Sequence, residues 1–245
     1  MPRHLLLRLE APLVAFGGET IDVNGVIRDF PALSMMTGLL ANALGWRREH
    51  AEVHDRLQTR LVMGARREPG GRRLRDYQTA LLFEDDQGWT TFGVPEGRAK
   101  SPSYVSQRDG RRALTLQRYR DFHADLSTLV ALRLEAPDES PTLDDLACAL
   151  DRPARPLFIG RKPCLPSRRI FAGWQEGDNV LQVLQAVPIP EIATDGLPMQ
   201  WPDGEGNTKG DRRIELCDER NWASGVHGGW RPVREATLHL REVPA

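Results

Sequence analysis

The stretch "LSTLVALRLEAPDESPTLDDLACALDRPARPLFIGRK", Leu126–Lys162, holds three consecutive elements. "LSTLVALRLEAP" is an apolar run closed by Pro137, which predicts a buried strand. "ESPTLDDLACALDRP" predicts a helix, with Ser140 as N-cap and Pro141 in the first turn. Leu143, Leu146, Ala147 and Leu150 recur on one face, and Pro153 stops it. "RPLFIGRK", from Arg155, predicts a short closing strand.

Working outward, "HLLLRLEA" near the start predicts an opening strand, and a Gly-containing loop follows from Phe16 to Arg28. "FPALSMMTGLLANALG" predicts a first helix: Leu33, Met36, Leu40 and Leu44 recur at helical spacing, Pro31 and Ser34 lie near its start, and Gly45 stands at the C-cap. "RLVMGARRE" predicts the second strand. The order strand, helix, strand, strand, helix, strand defines an α+β fold of ferredoxin-like or RNA-recognition-motif type over residues 1–162. From Pro163 the chain predicts a smaller β-rich lobe, residues 163–245, with "NVLQVLQAVPIP" and "REATLHLREV" as strands.

Between Arg60 and Arg133 lies an arm too long for a hairpin connection in a compact domain. It carries Trp89, Phe92 and Tyr104 among Gly, Pro and basic residues, which predicts a projecting β-hairpin, residues 74–120, that orders against a ligand. The segment "RRLRDYQTALL", Arg72–Leu82, opens this arm. In an extended strand Arg73, Arg75 and Tyr77 share one face while Asp76 and Gln78 share the other. Single-stranded RNA is held by phosphate contacts, stacking and edge hydrogen bonds, so its binding surface needs arginines beside aromatics and amides. This segment has all three.

The 245 residues, 40% hydrophobic, suit one large domain or two small ones. A net charge of −1 gives no overall attraction to nucleic acid or to an anionic membrane. The distribution differs from the sum, because Arg-rich runs such as "GARREPGGRRLRD" and "SQRDGRRALTLQRYRD" crowd the middle of the chain. Arginine is the residue suited to bidentate phosphate contacts. Cys148, Cys164 and Cys217 are odd in number, widely spaced and without a CxxC pair, which argues against disulfides and zinc. The first apolar run is too short for a signal peptide, and a cytoplasmic protein is expected.

Five segments, "LLLRLEAPLVAFGG", "FPALSMMTGLLANALG", "LRDYQT", "TLQRYRDFHADLSTLVAL" and "RPARPLFIGRKPC", resemble in order and spacing the CasD-type subunits of type I-E CRISPR Cascade complexes, within the RAMP superfamily. The resemblance implies a modified ferredoxin-like palm with a β-hairpin thumb. It also implies a non-catalytic subunit that holds the 5′ handle of the CRISPR RNA, caps the backbone filament, and contacts CasC-type backbone and CasA-type large subunits. Target DNA is then met only through the complex, and no membrane or cofactor is involved. The residues it points to are Ser34 and Thr37 at the first helix; Arg73, Arg75, Tyr77, Gln78, Thr79, Tyr104, Arg108, Arg112 and Arg118 on the thumb; and Phe158, Arg161 and Lys162 in the "FIGRKPC" turn. The free N–H groups at the start of the first helix also offer an anion site beside Ser34.

A related subfamily, of type I-C systems, cuts precursor RNA with a Tyr, Lys and His set in which Lys adjoins His. No Lys-His pair occurs here; His123, with Tyr119 and Arg120 close by, is the nearest substitute. "HAEVH", His50 to His54, has the spacing of a helical metal pair but lacks the HExxH order and a third ligand. No catalytic and no metal residues are therefore assigned. Endoribonuclease activity is the alternative.

Overall fold

A computed structural model describes residues 1–18, 20, 22–83, 86, 88–89, 95–96, 105–106, 110–190 and 196–239. Its elements in chain order are β1 (Arg3–Val14), β2 (Asn24–Gly25), α1 (Leu33–Ala43), α2 (Ala51–Arg60), β3 (Leu61–Arg67), β4 (Arg72–Phe83), β5 (Gly88–Trp89), β6 (Pro95–Glu96), β7 (Val105–Ser106), β8 (Arg112–Leu134), α3 (Leu143–Asp151), β9 (Phe171–Glu176), α4 (Val180–Ala186), β10 (Leu197–Pro202), β11 (Arg212–Cys217) and β12 (Trp230–Leu238). The result is a mixed α/β protein with a mostly antiparallel sheet and few helices. Two compact units emerge, one of Met1–Gly18, Ile27–Leu74 and Phe122–Ala245, the other of Glu19–Val26 and Arg75–Asp121.

In the first unit the strands run in the order β11-β12-β10-β3-β8-β1-β9. Leu5 of β1 pairs with Leu132 of β8 on one side and Trp174 of β9 on the other, while Leu61 of β3 pairs with Leu134. The two-residue period of a strand sorts the leucine runs between two cores. Leu5, Leu7, Leu9, Val130 and Leu132 pack with Met36 and Leu40 of α1 and Leu146 and Leu150 of α3. Leu6, Leu129 and Ala131 pack with Val180, Leu181, Val183 and Leu184 of α4 and Trp201 of β10. Each such leucine contributes about 1.5–3 kcal/mol on full burial.

Helix α1 ends as its sequence requires. Gly45 takes φ +80°, its N–H bonds Asn42 O at 3.2 Å, and the Trp46 N–H bonds Ala41 O at 2.9 Å. Three local expectations are corrected. The N-cap of α3 is Thr142 rather than Ser140: Asp145 N–H donates to the Thr142 hydroxyl at 3.2 Å and Thr142 N–H to the Asp145 carboxylate at 2.8 Å, a closed capping box. The segment 155–162 is a loop, because Ile159 N–H turns back to Cys164 O at 2.7 Å and Cys164 N–H to Arg161 O at 2.9 Å. The strand beside β1 is instead Phe171–Glu176. Finally, "NVLQVLQA" is helical rather than extended. Asn179 caps it by accepting from Gln182 N–H at 2.9 Å, and Val180, Leu181, Val183 and Leu184 lie on its buried face.

The residues after Pro163, expected as a lobe of their own, supply β9 beside β1 and β10–β12 beyond β3, and they belong to the same compact unit as the N-terminal strands. In the second unit β8 pairs with β4, with β2 in parallel (Asn24↔Tyr119, Gly25↔Arg120) and with β7 (Val105↔Ala113); β5 and β6 pair separately. Among the described residues no helix is long and apolar enough to cross a membrane.

Candidate nucleic-acid interface

Strand β4 is exposed along most of its length, an unusual condition for a strand rich in Leu, Tyr and Phe. Within the second unit the side chains of β4 and β8 meet in pairs. The Arg75 guanidinium donates to both carboxylate oxygens of Asp121, at 2.7 and 3.1 Å. Two residues on, the rings of Tyr77 and Tyr119 lie 5.2 Å apart and tilted by 35°, with Tyr77 52% exposed. Gln78 bonds Asp76 at 2.7 Å, as the alternation of the strand requires. Thr79 is exposed, and Leu81 is exposed as well.

The exposed Tyr77 ring, the half-buried Tyr119 ring and the Arg75 guanidinium thus lie together on these two strands. Arg75 is 59% exposed while its partner Asp121 is 14% exposed, so the guanidinium is open to solvent and is anchored by a largely enclosed carboxylate. Arg112 and Arg118 lie on β8; Arg118 donates to Gln117 O at 2.8 Å. Tyr104 and Arg108 lie outside the described residues.

Arg73 belongs to the first unit. There it shares Asp29 with Arg67, at 3.0 and 3.2 Å. Beside them is a groove of about 560 Å³ lined by Arg28, Arg67 and Arg212, by Asp29 and Glu235, and by apolar Phe30, Pro31, Met199 and Leu216. Glu235 holds Arg212 at 2.6 Å, and Arg28 donates to Cys217 O at 2.7 Å. The groove has no contiguous sequence signal, because its arginines come from segments far apart in the chain. The doublets at Arg66–Arg67 and Arg212–Arg213 were the available signal.

The "FIGRKPC" loop is rigidly seated. A Cβ at Gly160, which takes φ +89°, would stand 1.8 Å from Ala15 O, so only glycine lets the loop approach β1. Phe158 is half-buried, Arg161 lies 4.8 Å over the Phe122 ring, and Lys162 is exposed.

The anion site expected at α1 is already filled from within the chain. Leu33 N–H donates to the Asp218 carboxylate at 2.9 Å and Ser34 N–H to Asp218 O at 3.0 Å. Arg231 holds the same carboxylate through two bonds of 2.8 Å. Ser34 is buried, and Thr37, fully buried, spends its hydroxyl on Leu33 O. Neither side chain reaches an external phosphate. The helix dipole is answered by Asp218, a residue with no local sequence signal.

His123 is 1% exposed; its Nε2 bonds Arg28 O at 2.9 Å, and burial holds its pKa below the ordinary histidine value. His54 is buried, bonded to His50 O at 2.6 Å and stacked on Trp222 with ring centres 4.6 Å apart. Among the described residues no three His, Cys, Asp or Glu side chains converge as metal ligands.

Over residues 4–234 the chain matches the family described as CRISPR-associated protein (Cas_Cas5). It is similar to the CRISPR system Cascade subunit CasD of Escherichia coli (strain K12), with 26% identity over 190 residues covering 77% of this chain and 79% of that one. Among solved structures it is similar to a chain of a CRISPR RNA-guided surveillance complex, with TM-score 0.66 and 22% identity over 96% of this chain and 90% of that one. It is also similar to a Cas protein crystal structure, with TM-score 0.60 and 22% identity over 98% and 97% of the two chains. At this identity both structures speak to the fold alone.

Proposed function

The chain belongs to the CRISPR-associated Cas5 family, and from that premise we propose that it is a non-catalytic CRISPR RNA-binding subunit of a cytoplasmic Cascade-type surveillance complex. The name of the Escherichia coli relative supports the assembly, since it is a Cascade subunit. In this reading the first unit is a ferredoxin-like palm and the second a thumb. The protein holds the 5′ handle of the CRISPR RNA and caps one end of the backbone filament. Its neighbours are a CasC-type backbone subunit and a CasA-type large subunit, and target DNA is met through the complex.

The observation that carries the reading is the exposed Tyr77 ring, packed on the half-buried Tyr119 beside Arg75. Stacked bases need exposed π faces, and Tyr77 offers one supported by a second ring. Gln78, Thr79, Arg112 and Arg118 flank the pair on the same strands, while Phe158, Arg161 and Lys162 serve as a second contact loop. Against cleavage, the one histidine near the arm is buried with its Nε2 engaged by a backbone carbonyl, so it cannot act as a base on a 2′-hydroxyl.

The test is a binding titration of purified protein with labelled repeat RNA in EDTA, with the same samples run on a denaturing gel. The RNA is expected to bind and stay intact. Tyr77→Ala with Tyr119→Ala should weaken binding by about 1–3 kcal/mol per stacked base. Cutting at the repeat, or equal affinity of the double variant, contradicts the proposal.

A further inference from the structure

Arg48 and Arg220 approach each other, and among the described residues no carboxylate pairs with either. The Nη2 atoms of both lie 3.1 Å from the point where a Cβ on Gly225 would stand, so the glycine keeps open the space between two guanidinium forks. Among the described residues neither arginine makes an ion pair, and the Arg220 Nε is buried without a hydrogen-bond partner. Burial, and then the Arg48 charge, push the Arg220 pKa below its ordinary value. His227 faces Arg220 across an isolated antiparallel bridge. Burial, Arg220 and Arg28 hold that imidazole below its ordinary value, so it stands neutral at physiological pH.

The loop that creates this repulsion is built firmly. Gln58 Nε2 donates to Arg220 O at 3.0 Å, and Gln58 Oε1 accepts from Arg220 N–H and from the Trp222 indole N–H, each at 3.2 Å. Trp222 N–H is held by Asp55 at 3.2 Å, and its ring stacks on His54. Gly225 N–H closes the turn on Asn221 O at 2.8 Å. These bonds fix Arg220 in place beside the exposed Arg48, and a bound anion would offset the two like charges.

We propose that Arg48 and Arg220 form a binding site for a nucleic-acid phosphodiester. Two planar forks directed at one space match the two non-bridging oxygens of a phosphodiester. The same loop carries Val226 at 63% exposure and ends at Trp230 at 69% exposure, giving an adjacent base an apolar surface and an indole to stack on. The site is separate from the tyrosine pair and does not rest on it.

The experiment compares full-length wild type, Arg48→Gln and the Tyr77→Ala/Tyr119→Ala variant. Each is titrated across a salt series with a single-stranded oligoribonucleotide and with a DNA duplex of equal length. Arg48 is exposed and makes no described side-chain hydrogen bond, so the glutamine variant keeps the fold. Losing one phosphate contact should reduce the log–log salt slope by about 0.7 for the single strand or about 0.9 for the duplex, with affinity falling severalfold at low salt. A loss with RNA assigns the site to a guide strand, and a loss with the duplex alone assigns it to DNA. In either arm the loss adds to that of the tyrosine variant. Unchanged affinity and slope with both probes overturns the proposal, and is also the result expected if the two cations receive a carboxylate of a neighbouring protein.

Discussion

Arg66 has no exposed surface, yet it sits in a doublet that reads as part of a basic run. Its guanidinium donates to Leu184 O at 2.6 Å and Val187 O at 2.8 Å, closing the C-terminus of α4, and to Glu68 at 2.9 Å. Arg60 is equally enclosed, bonding the carbonyls of Glu135, Ala136, Glu139 and Pro141. Part of the arginine excess is therefore internal fastening by planar forks, and only part is a surface for phosphates. Replacing Arg66 by Met strands Glu68 and should destabilise the protein by about 3–5 kcal/mol in urea unfolding. Adding Glu68→Leu should recover much of that loss, and no recovery would show that the carbonyl bonds carry the effect. Sequence alone does not distinguish Arg66 from Arg73, because the distinguishing partners of Arg66 lie 118 and 121 residues away in the chain.

At the scale of elements, the clearest signals were those with local causes. The leucine alternation of β1 and the Gly45 cap of α1 need only neighbours in sequence, and both are found. The face alternation of "RRLRDYQT" is met locally in the Gln78–Asp76 bond and the Tyr77–Tyr119 ring contact. Helix α4 was missed because its β-branched residues favour strand locally while its fate is decided by a tertiary seat. That seat is β3: a Cβ on Gly64 would stand 2.5 Å from Val180 Cγ1 and 3.1 Å from Leu184 Cδ1. Gly64→Ala should thus cost about 1–3 kcal/mol by overpacking. Gly17→Ala, with nothing within 4 Å of its added carbon, should stay within about 0.5 kcal/mol. Equal urea midpoints for the two variants would sink this account of α4. The Asp218 cap was illegible for the same kind of reason, since its contact with Leu33 spans 185 residues.

Across the whole molecule, acid acts in one direction. Burial holds His4 and His123 below the ordinary histidine value of 6.5, so the unfolded chain binds protons there that the fold resists. Stability should therefore fall as pH drops through that value, until the folded-state histidines titrate. Glu139, held low by Arg56, and Asp203, held low by Arg234 and Arg213, add a second decline. Their stabilising contributions are present above the unfolded carboxylate range and are lost as pH falls toward their folded values. Melting temperature against pH checks this; a constant value from about pH 7 to 5 would contradict the histidine part. The near-neutral net charge hides a division of labour in which acids pair with many arginines, such as Arg66, Arg133, Arg231 and Arg234, while others such as Arg48 and Arg220 make no ion pair among the described residues. The central claim is that the exposed strands of the second unit hold CRISPR RNA without cutting it. Photo-crosslinking of thiouridine-substituted handle RNA to the full-length protein, with the attached peptides identified by mass spectrometry, tests it most directly. The account predicts intact RNA attached within Arg75–Phe83 and Arg112–Asp121; attachment only elsewhere in the chain, or RNA cleaved in the repeat, would contradict it.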